Sequence, residues 1–478
     1  MKKIICLLLT FVMVMSLCAC AGGGGSAESA PTGLQVGYAR ENITPEDSVP
    51  LGGYGNADSR FSKGYLDYLF GTCIAITGTN GETLLLFALD LQSGGSASVV
   101  EEWTTAITAK TGVPVSNMQF HGTHSHSTPS LGDVEYNSIT TYRKQLAEKL
   151  ALAAEAAMAD RAESKIYVGK TQVPDLNFVR HYLLDNGTYA GSNFGDFSSG
   201  KIVDHSEPKD DLMQLLKFDR VDESKKDIYV MNWAAHPCFT GGMNETNISA
   251  DFISSTRDFV EAQTGGLFAY FTAAAGNQNT SSQIESEKHG LEKFTYGEKL
   301  GQYFLDALPN LTEAGGTEVH IIENIYTAKF NHEGEEKLED ARRIHQYFQQ
   351  TNDRSAGNAL AREVGLSSVY HARAIVTRSS LAETGTMELN VFSVGNVSFA
   401  SAPYEMFAQS AMDIRAGSAF DTTFVLSMQH DHKGYLPTQL AYDYGCYESH
   451  TGYYAPGTAE LLVQEYVTML GSLHEVAK

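Results

Sequence analysis

Residues 113–129 read VPVSNMQFHGTHSHSTP. Residues 113–120 have the apolar content of a short strand, and the hydroxyl residues and Pro129 that follow cannot continue it comfortably. His121, His124 and His126 therefore stand where a strand gives way to a loop. Open α/β sheets hold their ligands at the carboxyl ends of strands. Two readings follow for the histidines. Either at least one imidazole binds a metal ion in a cleft, or they are loop residues hydrogen-bonded to Thr123, Ser125 and Ser127.

Outward from this point, strand-like and helix-like segments alternate. Upstream lie a strand at 34–42, a glycine-rich turn at 50–55, a hairpin of CIAITG and TLLLFALDL around Asn80-Gly81, and a helix over 98–110. Downstream, 140–160 is rich in alanine and leucine with charges on one face, the pattern of a strong helix. Strands are expected in SKIYVGKTQV, LMQLLKF, DIYVMNWAAH, FAYFTAAA and 318–329, with a loop containing LNFVRHY. Helices are expected near 250–263, 292–308 and 335–349. The last third offers MELNVFSV paired with VSFASAP, a helix from Tyr404, the strand FVLSMQ, a tyrosine-rich loop and a closing helix over 457–473. Such alternation predicts an α/β fold, with mixed β-sheets surrounded by helices. Neither an internal repeat nor a linker interrupts 36–478, which reads as a single unit.

The amino terminus reads as an address. Lys2 and Lys3 precede an apolar run from Ile4 to Met15, too short to span a bilayer as a mature helix and laid out as a secretory signal over 1–19. Leu17-Cys18-Ala19-Cys20 resembles the bacterial lipobox, which implies a lipid anchor on Cys20 and an extracytoplasmic protein tied to the cell membrane. Residues 20–35 have a tether's composition, with a reach of roughly 20 Å. The formal net charge is −23, more negative still without Lys2 and Lys3. That balance argues against nucleic-acid partners and against electrostatic binding to anionic lipid. Beyond the signal region only Cys73, Cys238 and Cys446 remain, too few for a disulfide framework. A bridge between Cys238 and Cys446 is conceivable, and a pair of buried thiols fits better.

Several strands run out into residues capable of chemistry. NWAAHP puts His236 after one, VSFASAPYEMF puts Glu405 after another, and FVLSMQHDHKGY leads to His430, His432 and Tyr435. Singly, each has an ordinary explanation, such as a structural histidine or a glutamate favoured by a helix dipole. Together, His124, His236 and Glu405 form the two-imidazole, one-carboxylate set that catalytic zinc uses while keeping a position for water.

The segments VGYARENITPEDSVPLGGYG, GTHSHSTP, NWAAHP followed by ISADF, APYEMF and GYLPTQLAYDYGCYE, in this order, resemble the catalytic domain of the neutral/alkaline ceramidases. Those are secreted or membrane-attached zinc amidohydrolases that cleave the N-acyl bond of ceramide. The resemblance runs from about Val36 to the last helix. It implies His124, His236, Glu405 and Tyr435 as zinc ligands, with His126, Arg180 and Tyr447 around the scissile amide and His121 left to structure. Zinc brings a bound water's pKa toward ~7 and polarises a carbonyl, which suits attack on an amide. Tyr435 ligates either as a phenolate stabilised by the metal or as a weak, displaceable ligand. His126, Arg180 or Tyr447 could then stabilise the oxyanion or protonate the leaving amine.

Departures from the pattern matter. The family's GDVSPN-like hexapeptide corresponds to Gly276-Asn277-Gln278-Asn279-Thr280, with Asn279 where a serine is usual, so water is the expected nucleophile. The family's C-terminal β-sandwich domain is expected to be absent. His430 and His432 are expected to line the site without ligating. A zinc esterase or peptidase would use the same residues, and a solute-binding lipoprotein without catalysis would need none of them.

Overall fold

The strand Thr83–Leu89 is TLLLFAL, and six of its seven residues are buried. A strand apolar at every position needs cover on both faces. Leu85, Phe87 and Leu89 pack with Trp103, Leu146 and Leu150 from the helices Ala97–Thr111 and Asn137–Asp160. Leu84, Leu86 and Ala88 point the other way, into a core shared with Phe392, Phe399 and Phe424 of a second sheet.

The computed structural model describes residues 30–478 apart from 56, 133–135, 241 and 243–244. The expected signal segment, Cys20 and most of the tether lie outside these residues. Among the described residues the larger sheet has nine strands. Its order is Leu267–Thr272, Ile228–Trp233, Leu212–Arg220, Ala162–Gln172, Gln35–Asn42, Phe70–Thr77, Thr83–Leu89 and Met118–Gly122, with Thr312–Glu313 attached beside Ala162–Gln172. The pairs at its two extremes are parallel and the rest antiparallel. Its halves join through only Gln35↔Glu163 and Val36↔Ala162. So short a seam lets the sheet bend back on itself. The Tyr38 hydroxyl donates to Phe268 O at 2.8 Å, and Thr272 Oγ1 to Thr123 O at 2.7 Å.

The second sheet orders Val319–Lys329, Thr384–Val394, Val397–Ser401 and Thr422–Leu426. The helices Ala408–Gly417 and Thr458–Val476 cover its outer face, while Phe252–Thr264 and Lys293–Ala307 cover the far half of the larger sheet. The layers therefore run helix, sheet, sheet, helix, which is the mixed α/β architecture expected.

Local differences have local causes. The strand expected over 113–120 forms only at Met118–Gly122, because Val115–Asn117 turn as a 3-10 helix after Pro114. The helix expected from Tyr404 starts at Ala408, since Glu405–Met406 instead pairs in parallel with Tyr435–Leu436. Part of LNFVRHY forms the short strands Phe178–Val179 and His181–Leu184. The expected helix near 335–349 is Leu338–Thr351, the first of three that include Arg354–Glu363 and Val369–Arg378 and share a small core of their own. Cys73, Cys238 and Cys446 are free thiols, with Cys73 and Cys446 buried and Cys238 partly so.

His121 lies between the sheets with Nε2 3.1 Å from Ser401 Oγ and its ring edge-on to Phe271. Burial, with a smaller contribution from His430, pushes its pKa down to about 3. In the unfolded chain the imidazole takes up a proton near pH ~6.5. Acidification between these values therefore favours unfolding. His121→Gln should reduce proton uptake on unfolding at pH ~5 by about one, read from the pH dependence of urea midpoints; an unchanged slope would contradict this. Phe399 stacks between Phe392 and Phe424, at 4.7 and 5.1 Å. Phe399→Ala should cost about 3–5 kcal/mol in the same assay.

Candidate active site

Four strand ends meet at one segment. After Thr422–Leu426 the backbone donates from Ser427 to Thr272 O, from Gln429 to Ala402 O and from His430 to Phe120 O, all within 3.0 Å. Met428 O accepts from both Gly94 and Gly122. The path puts Met428 and His430 at φ 62° and 51°, and His124 lies at φ 69°. Non-glycine residues hold such values only where surrounding contacts impose them. Gly276 belongs to the same packing: a Cβ there would lie 2.4 Å from Glu405 O. Glycine alone allows the 276–279 turn to pass so close.

This arrangement gathers residues from distant parts of the chain. His124 Nε2 and His236 Nε2 lie 3.3 and 3.1 Å from Glu405 Oε2, and all three side chains are at most 5% exposed. His126 Nε2 is 3.3 Å from His124 Nε2. The nitrogens of His124, His126 and His236 all fall within 4.8 Å of one another, a group able to hold a metal ion. His124 Nδ1 bonds Gln92 O at 2.9 Å and His236 Nδ1 bonds Ala275 O at 2.7 Å. A carbonyl on Nδ1 requires a proton there and turns each Nε2 toward the carboxylate. Buried His236 Nε2 and Glu405 Oε2 have no hydrogen-bond partner.

Burial would raise the Glu405 pKa, but His124, His236 and His432 outweigh it and hold the carboxyl ionised. Burial, the Arg180 charge and His124 push His236 down to about 4 against the pull of Glu405. His126 is kept neutral by burial and by the His124 and His236 rings. Tyr435 is the Cα partner of Glu405 in their short parallel ladder. Burial and the Glu405 charge raise its phenol well above the ordinary value, against Arg180.

Arg180 extends from the bend between Phe178–Val179 and His181–Leu184, donating to Tyr435 Oη at 3.1 Å and to Asn279 Oδ1 at 3.2 Å. Tyr447 sets its ring edge against Tyr435, with centroids 5.8 Å apart. His126, Arg180 and Tyr447 thus border the His124, His236, Glu405 and Tyr435 group. The two other histidines separate. His432 Nε2 bonds Glu405 Oε1 at 2.7 Å, whereas His430 turns to Met118 O and the Phe120 ring, away from the carboxylate.

Two supports were not foreseen. Asp251, at φ 60°, accepts from Thr240 N, Thr240 Oγ1 and Phe252 N, each at 2.8 Å, and so fixes the loop after His236. Arg60, 1% exposed, donates to Gly52 O and to His126 O and stacks on Tyr54, whose ring meets His126 edge-on. ISADF carried a signal for Asp251 as an acidic residue opening a helix. Arg60 carried none, because a guanidinium serving carbonyls leaves no partner pattern in the sequence. Arg60→Lys should destabilise the protein by about 1–3 kcal/mol through lost charge-assisted bonds, as measured by urea unfolding; full stability would refute its role.

No protein-family model and no curated protein matches the sequence. Solved structures do. Neutral ceramidase from Pseudomonas aeruginosa aligns over 93% of this chain and 75% of its own, with TM-score 0.66 and 17% identity. A structure described as ceramidase complexed with C2 aligns over the same shares at TM-score 0.66 and 15% identity. At such identity the likeness is one of fold, and this chain has the fold of the neutral ceramidases.

Proposed function

We propose that the protein is a zinc-dependent hydrolase of N-acyl amides of the ceramide type, with His124, His236, Glu405 and Tyr435 holding the metal. The observation that carries this reading is the buried pair His236 Nε2 and Glu405 Oε2, 3.1 Å apart, each without a hydrogen-bond partner. Their donor chemistry, two imidazole nitrogens, a carboxylate and a phenol, suits zinc. Bound zinc supplies an activated water and a polarised carbonyl.

The chain's own residues supply the rest. Gln92 O and Ala275 O orient the two imidazoles, and His432 holds the second carboxylate oxygen. The guanidinium of Arg180 offers a permanent positive charge toward an oxygen on which negative charge develops. His126, kept neutral, takes a proton from the attacking water or relays one to the leaving amine at Nε2. Asn279 has no hydroxyl to act as a nucleophile, which favours water. Tyr54, Phe194, Tyr370 and Tyr447 form an aromatic border beside His126 and Tyr435. Such a border suits a substrate with apolar chains. The kinship in fold with neutral ceramidases supports the same class. The reading also puts the enzyme outside the cytoplasm, anchored through Cys20.

Purified protein should contain about one zinc per chain, and His124→Ala or His236→Ala should lose it together with activity. Protein without stoichiometric zinc, or variants with unchanged metal content, would sink the proposal. In a screen of fluorogenic N-acyl lipids, esters and peptides, cleavage of the N-acyl lipids is expected; turnover of esters alone would refute the amidase assignment. Cys20→Ala should move the protein from the membrane to the soluble fraction, and continued membrane retention would contradict the anchor.

A further inference from the structure

Behind Arg180 lies a buried polar chain that the reaction above does not use. Glu448, 0% exposed, immediately follows Tyr447. Its Oε1 accepts from Arg180 Nε at 2.8 Å and lies 2.6 Å from Arg180 Nη2, with Asn193 Nδ2 at 3.4 Å. Its Oε2 faces His181 Nε2 at 2.6 Å. His181 Nδ1 meets the Tyr444 hydroxyl at 2.9 Å, and that hydroxyl lies 3.0 Å from Glu207 Oε1.

His181, Cys446 and Glu448 together have the composition of a metal site. A metal would have to break existing bonds, since both ring nitrogens and both carboxylate oxygens are engaged. It would also stand beside the guanidinium of Arg180, and like charges in a buried site repel strongly. The geometry suits a clamp on Arg180 instead.

We infer that Glu448 is a positioning residue for the amide hydrolysis: through its two contacts with Arg180 it fixes the guanidinium so that Nη1 and Nη2 face Asn279 and Tyr435. This rests on the amide-hydrolase reading above. Glu448 is itself held on both sides, because His181 occupies its other oxygen and Tyr444 holds His181. A carboxylate gripping Nε and Nη2 leaves the far edge of the fork directed at the site, where a lysine or an unheld arginine would rotate. The supporting electrostatics agree. Burial opposes ionisation of Glu448, yet Arg180 and His181 hold its pKa far below the ordinary value.

The test is a double-mutant cycle on the zinc-loaded full chain with a fluorogenic N-acyl lipid. Glu448→Gln should lower kcat on the order of 10²-fold, the cost of a small misplacement of a catalytic group, with zinc content retained. In an Arg180→Met background the same change should cost nothing further, because Glu448 acts through Arg180. Wild-type kcat in Glu448→Gln, or fully additive losses, would overturn the proposal. A second readout needs no activity: the Arg180 Nε–H resonance should be protected from exchange in the wild type and exposed in Glu448→Gln, and equal protection would likewise overturn it. A wild type inactive on every N-acyl amide would defeat the hydrolase reading, while the resonance would still decide whether Glu448 holds Arg180.

Discussion

A carboxylate in a protein interior must be compensated, and Glu405 organises this molecule around that requirement. One oxygen is bonded to His432, and the other faces His124 and His236 in a space with almost no solvent. Two imidazole nitrogens and a carboxylate oxygen packed together there, with His236 Nε2 and Glu405 Oε2 lacking hydrogen-bond partners, form an arrangement that a shared cation would satisfy. The surroundings keep it so. Carbonyls occupy the Nδ1 atoms, and the backbone seam around Met428 fixes the strand ends.

The fold serves this gathering. Two sheets packed face to face, with helices outside both, bury nearly every side chain of Phe70–Thr77, Thr83–Leu89, Ile228–Trp233 and Val397–Ser401, so these strands have little freedom to slide. The bend in the larger sheet returns Leu267–Thr272 toward the strand that leads to His124. Parallel pairing of Glu405 with Tyr435 then sets two chemically distinct donors side by side. Arg180 arrives from a bend between two short strands and is gripped by Glu448.

How much of this could be read from the sequence varied with the range of the interactions involved. Long apolar strands and the alanine-rich helix were legible because burial and periodicity act locally. His124, His236 and Glu405 were legible as residues that follow strands, and their order along the chain carried the resemblance to the ceramidases. Glu405 in a two-residue ladder was not legible, because APYEMF has the composition of a helix start and only the distant Tyr435–Leu436 decides otherwise. The helices Arg354–Glu363 and Val369–Arg378 went unassigned, since short amphipathic segments gain stability only from the core they share. Arg60 and Glu448 were invisible for the same reason: each is defined by partners far away in the chain.

The proposed chemistry depends most directly on what occupies the space between His124, His236, Glu405 and Tyr435. Anomalous scattering at the zinc absorption edge, from crystals of protein purified without added metal, addresses it. The expected result is one strong peak about 2.0–2.2 Å from His124 Nε2, His236 Nε2 and a Glu405 oxygen, with Tyr435 Oη at ligand or near-ligand distance. A map with no peak there, or with zinc bound elsewhere while these four residues stay metal-free, would contradict the account.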